Sequence, residues 1–333
     1  MRYKLLLLFL LSTSVCFGQQ KAVNIIFDSD MGPDYDDVGA ITILHTLADK
    51  GEAHILATVA STRYDGVAGV MNVLNTYFKR SDIPIGIPKN GLDMRDWQHW
   101  SDSLLAKYPH KIKSNDEVPD AVQVYRKVLA SQPDHSVAVV TVGFLTNLSN
   151  LLNTGTDEYS KLNGKELVAH KVKLLVCMAG RFPSGYEFNV MKDAKASQNV
   201  YANWPTQIIL SGFEIGAKIL AGLPLIHNDN IKNDPVKDVF RISIPMAKED
   251  SLGRKSWDET AVLVAIKGYS QFYTLHHGRM SVADDGKNTW DDNGNGQAYL
   301  VENVDCKEVE KLINELIQYQ PSEVKGKRKD KGE

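Results

Sequence analysis

The sequence predicts an α/β protein with an open, mainly parallel sheet flanked by helices and a small β-rich extension near the C-terminus. Short apolar runs rich in Val and Ile alternate with longer segments of helical period, the pattern of successive βαβ units. The chain has 333 residues, 43% hydrophobic and 24% charged, which suits one large α/β domain. No internal repeat and no Pro/Gly/Ser-rich linker divides it.

In chain order, the first feature is an export signal. Arg2 and Lys4 precede an unbroken apolar run from Leu5 to Leu11, followed by small and polar residues up to Gly18. This is the layout of a signal peptide, residues 1–18, with cleavage expected after Gly18. The run is far shorter than the roughly 20 residues a spanning helix needs. No later stretch reaches that length, so no transmembrane segment is expected, and the mature chain should be periplasmic or secreted. Lipid attachment at Cys16 is the rival reading, weakened by Val15 where a small residue is wanted.

Strands are expected at Val23–Phe27, Ile55–Val59, Val137–Val142, Val172–Met178 and Gln207–Leu210. Helices are expected at Val38–Asp49, Val67–Tyr77, Ala121–Ala130, Lys192–Asn203 and Glu259–Lys267. Between Arg279 and Val304, the turn signals Asp285-Gly286 and Asn293-Gly294 separate alternating segments, which predicts a hairpin or lid-like piece. Lys325 to Glu333 is nearly all charge and glycine and reads as a solvated, disordered tail, leaving residues 19–324 as the domain.

Cys177 and Cys306, left after the signal, are too few for a disulfide framework and lack zinc-site spacing. Cys177 falls in a strand-like run and is expected in the core. The formal net charge of −3 supplies no general attraction to nucleic acid or anionic membrane, so the expected partner is a small molecule.

The strongest chemical signal is Asp28-Ser29-Asp30-Met31-Gly32-Pro33-Asp34-Tyr35-Asp36-Asp37, directly after one predicted strand and directly before a helix. Helix capping accounts for one or two of these Asp residues. A crowd of carboxylates repels itself unless a cation neutralises it, and a hard divalent ion draws about six to eight oxygen ligands from such a cluster. The loop also lies beyond the carboxyl end of a strand, where α/β sheets bind ligands. An EF-hand reading fails here, because Gly32 stands at the third ligand position and Gly39 where the closing Glu belongs. A literal EF-hand pattern does occur at Asp291, Asn293, Asn295, Gly296 and Glu302. Its flanks, Met280–Val282 and Ala298–Val301, alternate like strands, so a polar hairpin turn is expected instead.

Three further segments follow: Gly143-Phe144-Leu145-Thr146-Asn147, Glu187-Phe188-Asn189, and Trp257-Asp258 ahead of the apolar helix Thr260–Ile266. Together with the acidic loop, these resemble the calcium-dependent nucleoside hydrolases, with a longer gap here between Gly32 and the final Asp pair. The resemblance covers roughly Asn24 to Lys267 and keeps the family's order of motifs. It implies the family's Rossmann-like sheet and hydrolysis of the N-glycosidic bond of a ribonucleoside or related riboside to ribose and free base. It also implies a Ca²⁺ ion held by Asp30, Asp37, the main-chain carbonyl of Thr146 and Asp258. Asp30 would act as base toward the attacking water, Asp36 would lie near the ribose hydroxyls, and Glu187 and Asn189 would contact the sugar. Asp28 would support the loop, and a homodimer or homotetramer is expected. Each segment also has a plainer reading: Thr146-Asn147 as a turn or cap, Asp258 as the cap of the next helix, and Glu187-Phe188-Asn189 as a surface segment anchored by its Phe.

The departures concern the leaving group. The family often places His before the last calcium-ligand Asp. Here that position is Trp257, which can stack on a base but is no acid near neutral pH. His276 and His277, ahead of Gly278-Arg279, are the replacement candidates, and Arg279 is an alternative holder of an anionic group. Ser61-Thr62-Arg63 replaces the family's Gly-Asn segment, and the loop from Gly180 to Glu187 is short, which leaves the 3′ and 5′ contacts and the base open. The competing function is a calcium-dependent ribose- or nucleoside-binding protein without turnover, separated from the enzyme by the presence of a leaving-group acid.

Overall fold

The computed structural model describes residues 22–321. The expected signal segment, residues 1–18, and charged tail, residues 325–333, lie outside them. The strands are β1 (Val23–Ser29), β2 (Ala53–Ala60), β3 (Ile85–Gly86), β4 (Val137–Thr141), β5 (Val172–Met178), β6 (Ser184–Tyr186), β7 (Gln207–Ser211), β8 (Leu220–Ala221), β9 (Arg254–Lys255), β10 (Tyr273–Val282), β11 (Lys287–Asp291) and β12 (Gln297–Glu302). Ten of them form one sheet in the order β3-β2-β1-β4-β5-β7-β12-β10-β11-β6. Neighbours from β3 to β12 are parallel, and the last three pairings are antiparallel. β8 and β9 make a separate antiparallel pair.

The central strands β1, β4 and β5 carry the apolar runs Ile25–Phe27, Val137–Val140 and Leu174–Met178 because helices cover both faces of the sheet there. One core packs the helices Asp36–Asp49, Val67–Tyr77 and Trp257–Lys267 against it, and the other packs Ala121–Ala130, Thr146–Leu152 and Ala194–Asn203. Cys177 is buried in the second core, as expected. All five predicted strands and all five predicted helices are present; Val172–Met178, Val67–Tyr77 and Ala121–Ala130 keep their expected bounds, and the others shift at one or both ends. Two helices begin earlier than their apolar period suggests, at Asp36 and at Trp257, because acidic residues in the first turn complement the free N–H groups there. The predicted helix Lys192–Asn203 divides into Phe188–Lys192 and Ala194–Asn203, with Asp193 capping the second through the Ala196 N–H.

The C-terminal β-rich piece is an extension of the main sheet. Asp285-Gly286 makes the β10–β11 turn, with Gly286 at a φ of 85°. The EF-hand-like pattern runs from β11 into β12, so its flanks are strands, as expected. β11 also pairs with β6, which anchors the segment leading to Glu187. Among the described residues, no helix is long and apolar enough to cross a membrane.

Candidate active site

The carboxyl ends of β1, β4 and β5 open into a cavity of about 420 Å³, within the usual range for a small-molecule site. One side is polar, with Asp30, Asp34, Asp36, Glu187, Asn189 and Asp258. The other is apolar and aromatic, with Tyr186, Phe188, Met191, Phe213 and Trp257. Tyr186, Phe188 and Met191 are exposed, which leaves their apolar surface available to a ligand.

The acidic loop folds back on the helix it precedes. Asp37 Oδ1 accepts from Ser29 Oγ at 2.5 Å and from the Met31 N–H at 3.1 Å. Beneath it, Asp28 accepts from Tyr125 Oη at 2.9 Å and from Asn147 Nδ2 at 3.2 Å, which ties the end of β1 to the helices Ala121–Ala130 and Thr146–Leu152. Burial still pushes Asp28 up to about 7, against those hydrogen bonds. Gly143 presses on the loop so closely that a Cβ there would lie 2.3 Å from the Asp30 nitrogen and 2.4 Å from Ser61 Oγ. Ser61 Oγ accepts from the Phe144 N–H at 3.0 Å, so this segment braces the loop. Gly39 has an equally local reason: a Cβ would fall 2.1 Å from Glu259 Oε1, where two helices touch.

Four Asp side chains share one buried region. Burial, and then neighbouring carboxylates, raise Asp30 and Asp258 well above the ordinary range. Burial together with the Asp36 charge lifts Asp37 to about 6, and burial carries Asp36 to about 7 although Arg254 lowers it. Asp34, Asp36 and Asp37 offer oxygens within 4.8 Å of one another. Asp37 Oδ2 is buried with no N–H or O–H donor, and Asp37 abuts the Asp30 carboxyl, so a shared proton or a cation is needed to complete the group. All-oxygen donors of this kind suit a hard divalent ion, so the residues present fit a metal. Of the expected ligands, Asp37 belongs to this trio, and Asp30 and Asp258 line the cavity beside it. Thr146 opens the helix Thr146–Leu152 and its hydroxyl donates to Asp193 at 2.5 Å; neither Thr146 nor Asp37 is among the residues lining the cavity. Asp34 joins the cluster without having been singled out as a ligand.

Arg254 is the principal residue missed in the sequence. Its guanidinium donates to Asp36 Oδ1 at 3.0 and 2.6 Å, pairs with Asp34, and lies 3.6 Å from Asp250. It sits over the rings of Tyr35 and Trp257 at 5.0 and 5.1 Å, and Tyr35 Oη donates to Asp250 at 2.6 Å. Burial opposes the Arg254 charge, but Asp34, Asp36 and Asp250 outweigh it and hold the group firmly protonated. Asp36 lines the cavity as expected, but its Oδ1 is taken by Arg254 and its Oδ2 lies 3.4 Å from the Asp258 N–H. It is braced by Arg254 at the wall of the cavity.

Glu187 and Asn189 are buried while Phe188 between them is exposed, the reverse of a surface segment anchored by its Phe. Glu187 caps the short helix Phe188–Lys192, accepting from the N–H groups of Asn189, Val190 and Gly180. Burial raises its pKa, and those hydrogen bonds offset part of the rise. Asn189 Nδ2 donates to the carbonyls of Val142 and Met178, which leaves Oδ1 for a ligand. Trp257 Nε1 donates to the Phe213 carbonyl at 2.9 Å, which fixes the ring in the cavity wall and spends its N–H.

Neither His276 nor His277 lines this cavity. His276 Nε2 lies 2.7 Å from Asp292 on the surface and stacks on Tyr299 at 4.8 Å. His277 lines a separate depression with Trp204 and Arg279. Consecutive strand residues face opposite sides of a sheet, so this pair was never able to serve one site together. Arg279 is turned to the carbonyls of Tyr201 and Ala202.

A parallel sheet with buried carboxylates and an aromatic wall at its carboxyl edge defines an α/β enzyme site able to hold a metal. Residues 25–311 match the inosine-uridine preferring nucleoside hydrolase family, and the chain belongs to that family. It is thereby a hydrolase acting on N-glycosyl bonds. Among solved structures, it is similar to a purine-preferring ribonucleoside hydrolase from Gardnerella vaginalis, with a TM-score of 0.69 and 17% identity over 89% of this chain and 99% of the other. It is similar to an inosine-uridine preferring nucleoside hydrolase from Bacillus anthracis, with a TM-score of 0.67 and 14% identity over 89% and 99%. It is also similar to the type III effector protein XopQ complexed with adenosine diphosphate ribose, with a TM-score of 0.65 and 15% identity over 90% and 93%. At these identities the likeness is one of fold. A search of curated protein sequences gave no significant match.

Proposed function

We propose that the protein hydrolyses the N-glycosidic bond of a ribonucleoside, or a related riboside, with the help of Ca²⁺. The observation that carries this is one cavity lined both by the buried carboxylates of Asp30, Asp36 and Asp258 and by the rings of Phe213 and Trp257, with Asp37 close beside Asp36. Asp30, Asp37 and Asp258 would hold the ion, which when bound supplies orientation and added acidity to the attacking water. Asp30 lines the cavity, which places its carboxylate to take a proton from that water. The water oxygen adds to C1′ while the electron pair of the C1′–N bond leaves with the base. Asn189 Oδ1 and the Glu187 carboxylate, both fixed by backbone contacts, orient the sugar and offset the charge that grows on its ring. Trp257 offers a face on which the base stacks.

Calcium-dependent binding without turnover is the second reading. It is favoured by one observation: no His lines the cavity among the described residues, and the Trp257 N–H is already used. Free base and ribose released from a panel of ribonucleosides separate the two. Release from at least one supports hydrolysis; tight binding with no release supports the binder. We extend the proposal to an exported protein on the pattern of Arg2, Lys4 and Leu5 to Leu11, which fractionation of expressing cells tests.

A further inference from the structure

We infer that Lys255 is the hydrogen-bond donor to the departing base, and that it favours bases that leave with a carbonyl edge, such as 6-oxopurines and uracil. The inference rests on the hydrolytic reading above and supplies the group which that reading lacks. The other side-chain donors lining the cavity are committed. Trp257 Nε1 donates to the Phe213 carbonyl, Tyr186 Oη to Asp285, and Asn189 Nδ2 to two main-chain carbonyls. The Arg254 charge is shared among Asp34, Asp36 and Asp250. Lys255 differs from all of these. It lines the same cavity, is half-buried, and has no hydrogen bond or ion pair among the described residues.

Its position fits the task. β9 is a two-residue strand paired to β8, so the Lys255 backbone is fixed next to that of Arg254. Nζ lies 5.6 Å from the centre of the Trp257 ring, over the side chain on which a base would stack. With a base stacked on Trp257 and the sugar toward the carboxylates, as proposed above, an ammonium beside that ring meets the base rather than the sugar. As the C1′–N bond breaks, its electron pair passes to the base. The Lys255 ammonium donates a hydrogen bond to the resulting oxo-anion, which takes its proton from solvent water as it leaves, while Asp30 takes the proton lost by the attacking water and returns it to solvent, and the water-derived hydroxyl remains on C1′. Charge-assisted hydrogen bonds are about twice as strong as neutral ones, and the apolar wall of Phe213 and Trp257 keeps this one partly dry. A base presenting an exocyclic amino group on that edge offers a donor to a donor and gains less.

The test compares wild type, Lys255→Met and Lys255→Arg on inosine and on p-nitrophenyl riboside. The nitrophenolate departs without assistance, whereas hypoxanthine does not. Lys255→Met should slow inosine by about 100-fold, the range for removal of one donor aimed at a developing anion, and change p-nitrophenyl riboside by less than about threefold. Lys255→Arg should recover part of the inosine rate, which a merely structural lysine near the mouth would not predict. Equal slowing of both substrates, or slowing of neither, overturns the role of Lys255. Wild-type cleavage of p-nitrophenyl riboside alone would likewise overturn it while leaving riboside hydrolysis standing. A wild type inert on both, with metal bound, overturns the hydrolytic reading and this role with it.

Discussion

Replacing Arg254 by Met removes the cation that Asp34, Asp36 and Asp250 share while keeping an apolar stem of similar length. Both members of the Arg254–Asp36 pair are buried, so the loss leaves carboxylates uncompensated rather than solvated. Breaking a buried pair from one side costs about 3–5 kcal/mol. In a chain of this length each kcal/mol shifts the melting temperature by about 2 °C, so a fall of roughly 6–10 °C is expected in chelator at pH 8. The pH dependence has a definite sign. Asp36 is raised to about 7 even beside Arg254, and without the guanidinium it rises further. A carboxyl raised in the folded state is neutral below its folded pKa, so the penalty is present above about 7 and fades toward pH 5, where Asp36 is protonated with or without Arg254. The melting-temperature gap between wild type and Arg254→Met should therefore shrink at pH 5. Adding Asp36→Asn to Arg254→Met should recover part of the loss at pH 8. A fall under about 2 °C at pH 8, or strictly additive effects of the two substitutions, would refute the argument that the pair is coupled.

Two further outcomes follow from the site. His276→Ala and His277→Ala should each leave riboside cleavage within about twofold, because neither residue lines the cavity; a loss approaching the roughly 100-fold expected of a missing acid would contradict that placement. Glu187→Ala removes the acceptor of three main-chain N–H groups and should cost about 1–3 kcal/mol of stability. Asn189→Ala should chiefly raise KM for ribosides, and both variants should keep their metal; metal loss on analysis would place them in the ion's support instead.

The parts of this fold that were legible in the sequence are those whose cause is local. β1, β4 and β5 read as strands because both faces are buried, which demands unbroken apolar runs. The acidic loop read as a cation site because five Asp side chains fall between Asp28 and Asp37, more than any helix terminus needs. The missing parts depend on contacts that no local pattern records. Arg254 lies 218 residues from Asp36, and its segment has no period or motif that distinguishes it from a surface turn. Glu187 was legible as a site residue but not as a cap, since Phe188–Lys192 is too short to show helical period. His276 and His277 were misplaced because the strand that carries them, β10, was read only as a turn-rich piece; its alternation already forbids a shared destination.

The most direct test of the central claim is a titration of chelator-treated protein with Ca²⁺, reading bound metal and base release from inosine and uridine in the same samples. The account predicts that release is absent in chelator and returns in step with binding of one equivalent of Ca²⁺, and that Asp37→Ala abolishes both. Release that is indifferent to chelation, or full metal occupancy in Asp37→Ala, would contradict it.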